Sequence, residues 1–172
     1  MSGEVIRPLG RPGDLGWMVM AHGELYAAEF GWDTTMEAFI ARIVADYAGA
    51  PDAPGTAAWI AEVGGERAGC VLCVPSGDPG VAQLRILLVH PRARGRGVGS
   101  RLVATTIAFA TASGYERMRL WTNHPLVAAR RVYLAHGFTL VREEPHHSFG
   151  VDLVGQVYER ELTRESAQQS HW

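Results

Sequence analysis

The chain has 172 residues, of which 47% are hydrophobic and 20% are charged, and its formal net charge is −2. This balance is ordinary for a soluble globular protein, and the length suits one domain with a sizeable core. The total charge does not indicate a polycationic surface for nucleic acid, and no apolar segment is long enough to cross a membrane. The amino terminus lacks the basic and then apolar pattern of a secretory signal, so we expect a cytoplasmic protein.

The predicted elements begin with a short strand and two helices. Residues 5–9 form an edge strand, because the proline in this segment cannot donate a ladder hydrogen bond. Asp14 fits the N-cap of a helix over 15–24, and apolar residues at helical spacing predict a second helix from 34 or 35 to 47. Between these helices, residues 23–33 are rich in aromatic and acidic side chains, which is unusual for a simple connection.

Strands and two further helices make up the rest of the chain. Segments 57–63 and 67–74 form a hairpin around Gly64-Gly65-Glu66. A strand at 82–89 follows, and after it comes a helix that carries Leu102, Val103, Thr106, Ile107 and Ala110 on one side. The next elements are a strand at 117–123 and a helix that begins near Pro125 and ends at residue 135 or 136. Two last strands lie at 138–142 and from 154 or 156 to 162. Hairpins come first and crossover helices later, which predicts an α/β class with a mixed sheet built around one βαβ unit. We expect one domain over 1–172, with a core at about 4–163 and a frayed tail at 164–172.

Cys70 and Cys73 form a C-x-x-C pair, a spacing that is also found in metal and redox sites. They lie in the apolar segment 68–74, which indicates a strand, and residues three apart on a strand point to opposite faces. No second pair of ligands follows at a suitable spacing. We therefore expect two buried, unreactive thiols and no metal.

A glycine-rich loop follows the central strand and opens a helix, within residues 83–113. Such a loop can hold phosphates, because its glycines allow close approach and the free N–H groups of the first helical turn point at the anion. A P-loop is excluded because the chain contains no lysine. A dinucleotide site is disfavoured because the glycines fall at 95, 97 and 99 and the next strand ends without a carboxylate.

The pattern that fits is Arg94-Gly95-Arg96-Gly97-Val98-Gly99 after Val89-His90-Pro91, and it resembles the pyrophosphate loop of the GCN5-related N-acetyltransferases. A second motif of that family, A-x-x-x-Y-x-x-x-G-F, is matched from Ala129 through Tyr133 to Gly137-Phe138. Segments 120–123, 128–130 and 146–153 also resemble a bacterial subgroup whose domains are sometimes fused to MarR-type regulators.

The resemblance implies the acyl-CoA N-acyltransferase fold, with a single mixed, mostly antiparallel sheet of about seven strands flanked by helices. It also implies that strands 84–89 and 118–123 splay apart, so that acetyl-CoA lies in the gap. The cofactor-binding residues that it implies are Leu87, Leu88 and Val89 on the strand, Arg94, Gly95, Arg96, Gly97, Val98 and Gly99 in the loop, and Asn123 and Arg130 beyond it. The resemblance assigns no metal.

Tyr133 is the residue that the resemblance makes the general acid for the departing thiolate, since a phenol and a thiol have comparable basicity. The alternative is a buried aromatic side chain that only packs on the sheet. Asn123 would bind the cofactor or an ordered water, or else cap the following helix. Arg130 or Arg131 would meet the 3′-phosphate, or else lie on a solvated helix face.

The general base is not given by the central strand, because that strand carries Arg85 and no carboxylate. Glu29 is the first candidate, since a carboxylate among aromatic side chains can have a raised pKa. Glu24, His146 and His147 are alternatives, and so is base catalysis through ordered waters.

We therefore predict an enzyme that transfers the acetyl group of acetyl-CoA to a primary amine of a small molecule or protein by direct attack. The alternative is a non-catalytic acyl-CoA sensor or interaction module on the same fold. Tyr26, Phe30, Trp32 and Asp33 suggest a pocket with an apolar wall and an acidic point, which would suit a cationic amine. The alternative is that the aromatic side chains only pack the helices on the sheet. A homodimer fits the family resemblance, and no nucleic-acid or membrane partner is predicted.

Overall fold

The structure is a computed structural model, and it describes residues 3–163. The strands are β1 (Glu4–Pro8), β2 (Ala57–Val63), β3 (Glu66–Pro75), β4 (Val81–Val89), β5 (Arg117–Asn123), β6 (Thr139–Ser148) and β7 (Val151–Glu161). The helices are α1 (Asp14–Phe30), α2 (Thr34–Gly49), α3 (Val98–Ala112) and α4 (Val127–Ala135), and a short 3-10 turn covers Pro91–Ala93. The tail predicted at 164–172 lies outside the described residues.

The strands form a single seven-stranded sheet in the order β1-β2-β3-β4-β5-β7-β6. The pair β4–β5 is parallel and is connected by α3, whereas every other neighbouring pair in this sheet is antiparallel. The predicted mixed, mostly antiparallel sheet with one central βαβ unit is therefore confirmed.

The two central strands separate halfway along their length. The parallel ladder of β4 and β5 ends at the pair Leu84–Leu120, although β5 remains paired with β7 as far as Asn123. On its other side β4 contains a bulge, because Leu72 lies opposite Arg85 and Cys70 lies opposite Leu88. Ile86 in this bulge has a φ of 51°, an unusual value for a β-branched residue. A bulge bends its strand, and the second half of β4 therefore diverges from β5 as expected.

The sheet has an apolar core on each face, and helices cover both cores. One core contains Leu102 and Val103 of α3 and Tyr133 of α4, and the other contains Met18 of α1 and Ile40 of α2. The two cysteines divide between them, since Cys73 belongs to the first core and Cys70 to the second. Burial raises the pKa of both thiols, to about 12 for Cys73. The prediction of two buried thiols on opposite faces is confirmed.

Two elements are longer than the sequence indicates. Helix α1 continues through Gly23 to Phe30 and ends at Gly31, whose φ of 70° suits a C-cap glycine. Most of the segment predicted as a connection is therefore helical. Strand β6 continues through Pro145 to Ser148, so His146 lies on a strand of a hairpin and not in a loop. Proline is tolerated there because β6 is the last strand of the sheet.

Asp14 is not the N-cap of α1, because Gly13 occupies that position. The Asp14 carboxylate is fully buried and accepts two hydrogen bonds from the Arg7 guanidinium, at 2.8 and 2.9 Å. It also accepts one from Nε of Arg67, at 2.8 Å, and two from the backbone N–H groups of Gly10 and Arg11. These donors hold its pKa well below the usual range. Asp14 therefore ties the start of α1 to β1 and β3.

Candidate active site

A cavity of about 470 Å³, which we call the large cavity, lies where β4 and β5 separate. It runs between the end of β4, the glycine loop and the first turn of α3 on one side, and the start of α4 on the other. Tyr26, Glu29 and Phe30 at the end of α1 also line this cavity. The residues that line it include Leu87, Leu88, Val89, Arg94, Gly95, Gly97, Val98, Gly99 and Ser100, and, across the groove, Leu126, Val127, Ala128, Ala129, Arg131 and Val132.

The glycine loop presents a row of unused backbone donors. Gly95 and Gly97 have φ values of 78° and 74°, in the left-handed region that glycine adopts without strain. Gly97 is the N-cap of α3, and no side chain caps this end. Among residues 3–163, no hydrogen bond is donated by the N–H groups of residues 95–100. Free donors at the positive end of a helix dipole form an anion site.

The arginines around the loop differ in what they contact. Arg94 donates its backbone N–H to Pro91, and its guanidinium pairs with the Glu29 carboxylate at the edge of the large cavity. Arg96 lies 3.8 Å from the carboxylate of Glu4, outside the cavity lining. In α4 it is Arg131 that lines the cavity, whereas Arg130 donates to the carbonyl oxygen of His124 at 2.8 Å.

A smaller cavity of about 90 Å³ lies on the other side of the gap between the strands. Four residues line both cavities, so the two spaces adjoin: Tyr26, Leu87, Leu126 and Ala129. Helices α1 and α2 and the segment between them contribute His22, Trp32, Met36, Phe39, Ile40 and Ile43 to the small cavity. The rest of its lining comes from residues 83–86 of β4, residues 121–123 of β5, Tyr133 and Phe149.

Tyr133 lies in the wall of the small cavity, beside the residues shared with the large one. Its side chain is buried and contacts the rings of Phe138 and Tyr158, with centroid distances of 5.9 and 6.4 Å. Burial raises the pKa of this phenol above its usual value of about 10. Tyr133 therefore carries its proton throughout the neutral range, as a proton donor must.

Asn123 lies in the small cavity and is buried. Its Oδ1 accepts a hydrogen bond from Nε2 of His146 at 2.8 Å, and Nδ1 of His146 is 2.9 Å from the hydroxyl of Ser148. The ring of His146 also contacts Trp121, at a centroid distance of 5.4 Å. Both nitrogens of His146 are therefore engaged, so this histidine has no free lone pair for a base. Asn123 does not cap α4, whose N-cap is Leu126.

The carboxylates and the second histidine that the sequence offers as bases lie away from the small cavity. Glu29 lines the large cavity beside Arg94, and Glu24 is exposed on α1. His147 is exposed and pairs with Asp152 at 2.9 Å. Asp33, expected to supply an acidic point, accepts a hydrogen bond from the N–H of Thr35 and caps α2. No carboxylate among residues 3–163 lines the small cavity.

The aromatic side chains around residue 30 form one packed cluster. The ring of Trp32 lies 5.2 Å from Tyr26, 5.1 Å from Phe30 and 5.3 Å from Phe149 in the β6–β7 turn. Trp32 is 4% exposed, so this cluster joins α1, α2 and the hairpin. Tyr26 and Trp32 line the small cavity together with Phe149, whereas Phe30 lines the large one, and the same rings also pack α1 against the segment before α2.

His22 is a cavity residue that the sequence analysis missed. It is fully buried, and its Nδ1–H donates to the carbonyl oxygen of Met18 at 2.7 Å. Its Nε2 is the single buried side-chain nitrogen or oxygen in residues 3–163 that lacks a hydrogen-bond partner. Burial lowers the pKa of His22 to about 4, so the imidazole is neutral at neutral pH. Its position four residues before Tyr26 on the sheet-facing side of α1 was the available signal.

Comparison with known proteins identifies the family. Residues 20–138, more than half of the chain, match the family described as Acetyltransferase (GNAT) family. The chain therefore belongs to the GNAT acetyltransferase family, as the two motifs indicated. Within residues 3–163 no group of three or more His, Cys, Asp or Glu side chains could hold a metal ion, and none of the helices there is long and apolar enough to span a membrane.

Individual relatives are similar over part of their length. An uncharacterized N-acetyltransferase of Schizosaccharomyces pombe is 36% identical over 48% of this chain and 50% of its own length. The N-acetylaspartate synthetase of Xenopus tropicalis is 30% identical over 55% of this chain and 35% of its own. The chain thus spans half or less of the length of these curated relatives.

Solved structures resemble the whole chain in fold. An N-acetyltransferase from Staphylococcus aureus Mu50 covers 94% of this chain and 100% of its own, with a TM-score of 0.77 and 19% identity. An acetyltransferase from Salmonella typhimurium, solved with its cofactor acetyl-CoA, covers 98% and 99%, with a TM-score of 0.74 and 20% identity. At these identities the similarity establishes the fold.

Proposed function

We propose that this protein transfers the acetyl group of acetyl-CoA directly to an amine bound in the small cavity. The observation that carries this proposal is the junction of two different cavities at the gap between β4 and β5. One cavity ends in free backbone donors suited to a pyrophosphate, and the other is small, mostly apolar and walled by a buried phenol. A donor molecule and an acceptor molecule can therefore meet at Leu87, Leu126 and Ala129.

The residues present fit acetyl-CoA as the donor. The N–H groups of residues 95–100 would hold the pyrophosphate, and Arg94 and Arg131 would add positive charge beside it. The β4 edge at Leu87, Leu88 and Val89 is not paired with β5, so backbone groups there can bind the pantetheine amides, apart from the Val89 carbonyl, which accepts from Nε of Arg94 at 3.3 Å. Arg131 supports a phosphate contact better than Arg130, because the Arg130 guanidinium already donates to His124.

Tyr133 is the general acid in this proposal. As the amine nitrogen bonds to the thioester carbon and the carbon–sulfur bond breaks, the sulfur leaves as a thiolate that needs a proton. A phenol keeps its proton throughout the neutral range, and the place of Tyr133 in the cavity wall puts it near the gap. Tyr133 then takes a proton from solvent, and the base releases the amine proton to solvent, so that in each turnover the amine loses one proton and the thiol gains one.

The base is assigned from what lines the small cavity. Glu29 remains a candidate, but its pairing with Arg94 favours a role in holding the glycine loop. Nε2 of His22, in the small-cavity wall, is buried and has no hydrogen-bond partner. We therefore favour His22 as the group that accepts the amine proton, and its lowered pKa makes it a weak base.

A thiol-release assay with acetyl-CoA and a panel of amines tests the function, and calorimetric titration of acetyl-CoA tests binding separately. The panel comprises amino acids, their amides, simple alkylamines, polyamines and a lysine peptide. Turnover of at least one acceptor is expected. Tight acetyl-CoA binding with no turnover on any acceptor would instead establish the non-catalytic sensor on this fold.

Three finer predictions belong to the same proposal. We propose that the protein is a cytoplasmic bacterial enzyme and that it forms a homodimer. We also propose that it belongs to the subgroup whose domains are sometimes fused to MarR-type regulators. The homodimer is supported by β6, an edge strand on which Leu140 and Val141 are 46% and 52% exposed. Sedimentation of the purified chain measures its oligomeric state, and a monomer at micromolar concentration would remove this part of the proposal.

A further inference from the structure

The small cavity contains one charged side chain, Arg85 on β4, among the described residues that line it. The remaining polar groups in its wall are neutral, and the rest of the lining is aromatic or aliphatic; the neutral polar residues are His22, Gln83, Thr122, Asn123, Tyr26 and Tyr133. A cation without an acidic neighbour in an apolar wall gives this cavity a positive potential. The cavity therefore disfavours a ligand whose net charge is positive.

Arg85 is also unpaired within the part of the chain that the structure describes. No carboxylate of residues 3–163 lies within 4.0 Å of its guanidinium, and Asp46 on α2 acts on it only from farther away. Other partly buried arginines have close partners: Arg7 lies 2.8 Å from Asp14, and Arg119 lies 2.7 Å from Asp78. Burial without a partner lowers the pKa of Arg85, which means that its charged form has lost hydration.

A half-buried guanidinium of this kind gains most from an anion that replaces the lost water. Its planar fork matches a carboxylate, with two parallel N–H donors. Arg85 and Tyr133 line the same small cavity, whose volume is about 90 Å³. Burying an uncompensated charge is costly, so the unpaired state is the one expected of a site whose partner is the ligand.

We propose that Arg85 binds a carboxylate on the acceptor, so that the substrate is a small amine carrying a carboxylate, of the amino-acid class. This inference rests on the proposed function, because it names the substrate of the same site. The carboxylate lies against Arg85, the amine points to the gap between β4 and β5, and an apolar side chain contacts the wall formed by Trp32, Phe39 and Phe149. The same carboxylate chemistry could come from an acidic residue of a peptide.

The test uses matched acceptors that differ in a single group. For each of several apolar amino acids, kcat/KM is measured for the free acid, the carboxamide and the decarboxylated amine. We expect the acid to be favoured over the carboxamide by about 30-fold. The lower amine pKa of the carboxamide favours its attack at neutral pH, so the comparison is biased against the proposal.

Arg85→Gln removes the charge and leaves a shorter polar side chain, and it should reduce the ratio of acid to carboxamide to about one. Arg42→Gln is the matched control, because Arg42 is exposed on α2 and does not line the small cavity. It removes the same charge and should retain the ratio. Arg85→Lys should restore part of the preference, since it keeps the charge without the fork.

A second measurement does not depend on turnover. The apolar amino acids should raise the melting temperature of the wild-type protein at millimolar concentration, and they should not do so for Arg85→Gln. Glutamate-containing peptides with a free amine distinguish the peptide source: if they are acetylated better than the free amino acids, the small-molecule assignment is overturned.

Equal use of acids and carboxamides by the wild type, or an unchanged ratio in Arg85→Gln, would refute the carboxylate site while leaving the acetyltransferase function intact. Failure of the proposed function has a different signature, which is the absence of turnover with every amine, including those without a carboxylate. Absence of turnover together with no thermal effect of amino acids overturns both.

Discussion

The two cavities that meet at the gap between β4 and β5 are built in different ways. The phosphate end of the large cavity depends on one contiguous stretch, the glycine loop and the start of α3, and it offers backbone N–H groups. The small cavity is assembled from α1, α2, β4, β5, α4 and the β6–β7 turn, and it offers mainly side chains. The first can be recognised in a sequence, and the second exists only after the chain has folded.

The two cavities therefore differ in how far they depend on particular side chains. Backbone donors and a helix dipole bind a pyrophosphate whatever the neighbouring side chains are, provided that glycine allows the approach. The small cavity has no such tolerance, because replacing Arg85 or Trp32 would change its charge or its shape. Variants of the two regions should therefore fail in different ways.

The largest effect is expected from Asp14→Asn, which acts on the helix that carries the wall of the small cavity. The change leaves two guanidiniums without their buried carboxylate, and it should lower the free energy of unfolding by about 4 kcal/mol. Urea denaturation measures it. Arg11→Gln in the same cluster is the control: the Arg11 side chain is 66% exposed, so its loss should cost under about 0.5 kcal/mol. Equal effects would show that Asp14 is not the anchor of α1.

The second prediction concerns the stability of this wall in acid. The pKa of His22 is about 4 in the folded protein, against 6.5 for an unperturbed histidine in the unfolded chain, so the folded protein favours the neutral ring. The contribution is complete above pH 6.5 and is lost as the pH falls from 6.5 to 4, at a cost of about 3 kcal/mol. Asp14 contributes in a separate window, below about pH 4, because its pKa is lowered.

Denaturation of the wild type and of His22→Phe at pH 7 and pH 4.5 isolates this effect. Phenylalanine retains the ring that contacts Tyr26 at 5.5 Å but does not titrate. The wild type should lose more stability on acidification than the variant does. The same slope in both proteins would mean that another group, such as His90, controls this window.

Gly97→Glu acts on the large cavity and should weaken acetyl-CoA binding by about 100-fold. A Cβ at position 97 meets no atom within 4 Å, so the loss would come from the left-handed φ and from the negative charge beside the phosphates. Gly97→Ala shares the strain without the charge and should lose about tenfold. Calorimetric titration with acetyl-CoA distinguishes the two variants. Micromolar affinity retained by the glutamate variant would contradict the loop assignment.

The smallest effect is expected at the junction of the cavities. Tyr133→Phe should lower kcat by about 30-fold and leave the acetyl-CoA dissociation constant nearly unchanged, because it removes only the proton donor. Tyr158→Phe is the matched control, since Tyr158 is equally buried in the same core and lines neither cavity. If both variants keep their activity, Tyr133 is a packing residue.

The order and type of the elements were predictable, because hydrophobic periodicity and turn residues mark them locally. The errors lay where a local signal conflicted with tertiary contacts. Gly23 lies within α1, where it leaves room for Glu37 of α2: a Cβ there would be 2.3 Å from that side chain. Pro145 did not end β6, because an edge strand tolerates a residue that has no N–H to donate. Asp14 resembled an N-cap because the sequence does not show Arg7 and Arg67 around it.

The glycine loop that is proposed to bind acetyl-CoA could be predicted from the amino-acid sequence alone. The residues proposed to hold the pyrophosphate, Arg94 to Gly99, would act through their backbone conformation, and local conformation is encoded by neighbouring residues. The acceptor side required the folded chain, which shows that Glu29 lies against Arg94, that His146 is engaged by Asn123, and that His22 and Arg85 line one cavity. The physical reason is distance along the chain, since His22, Arg85 and Tyr133 come together only through the packing of α1 and α4 on the separated strands.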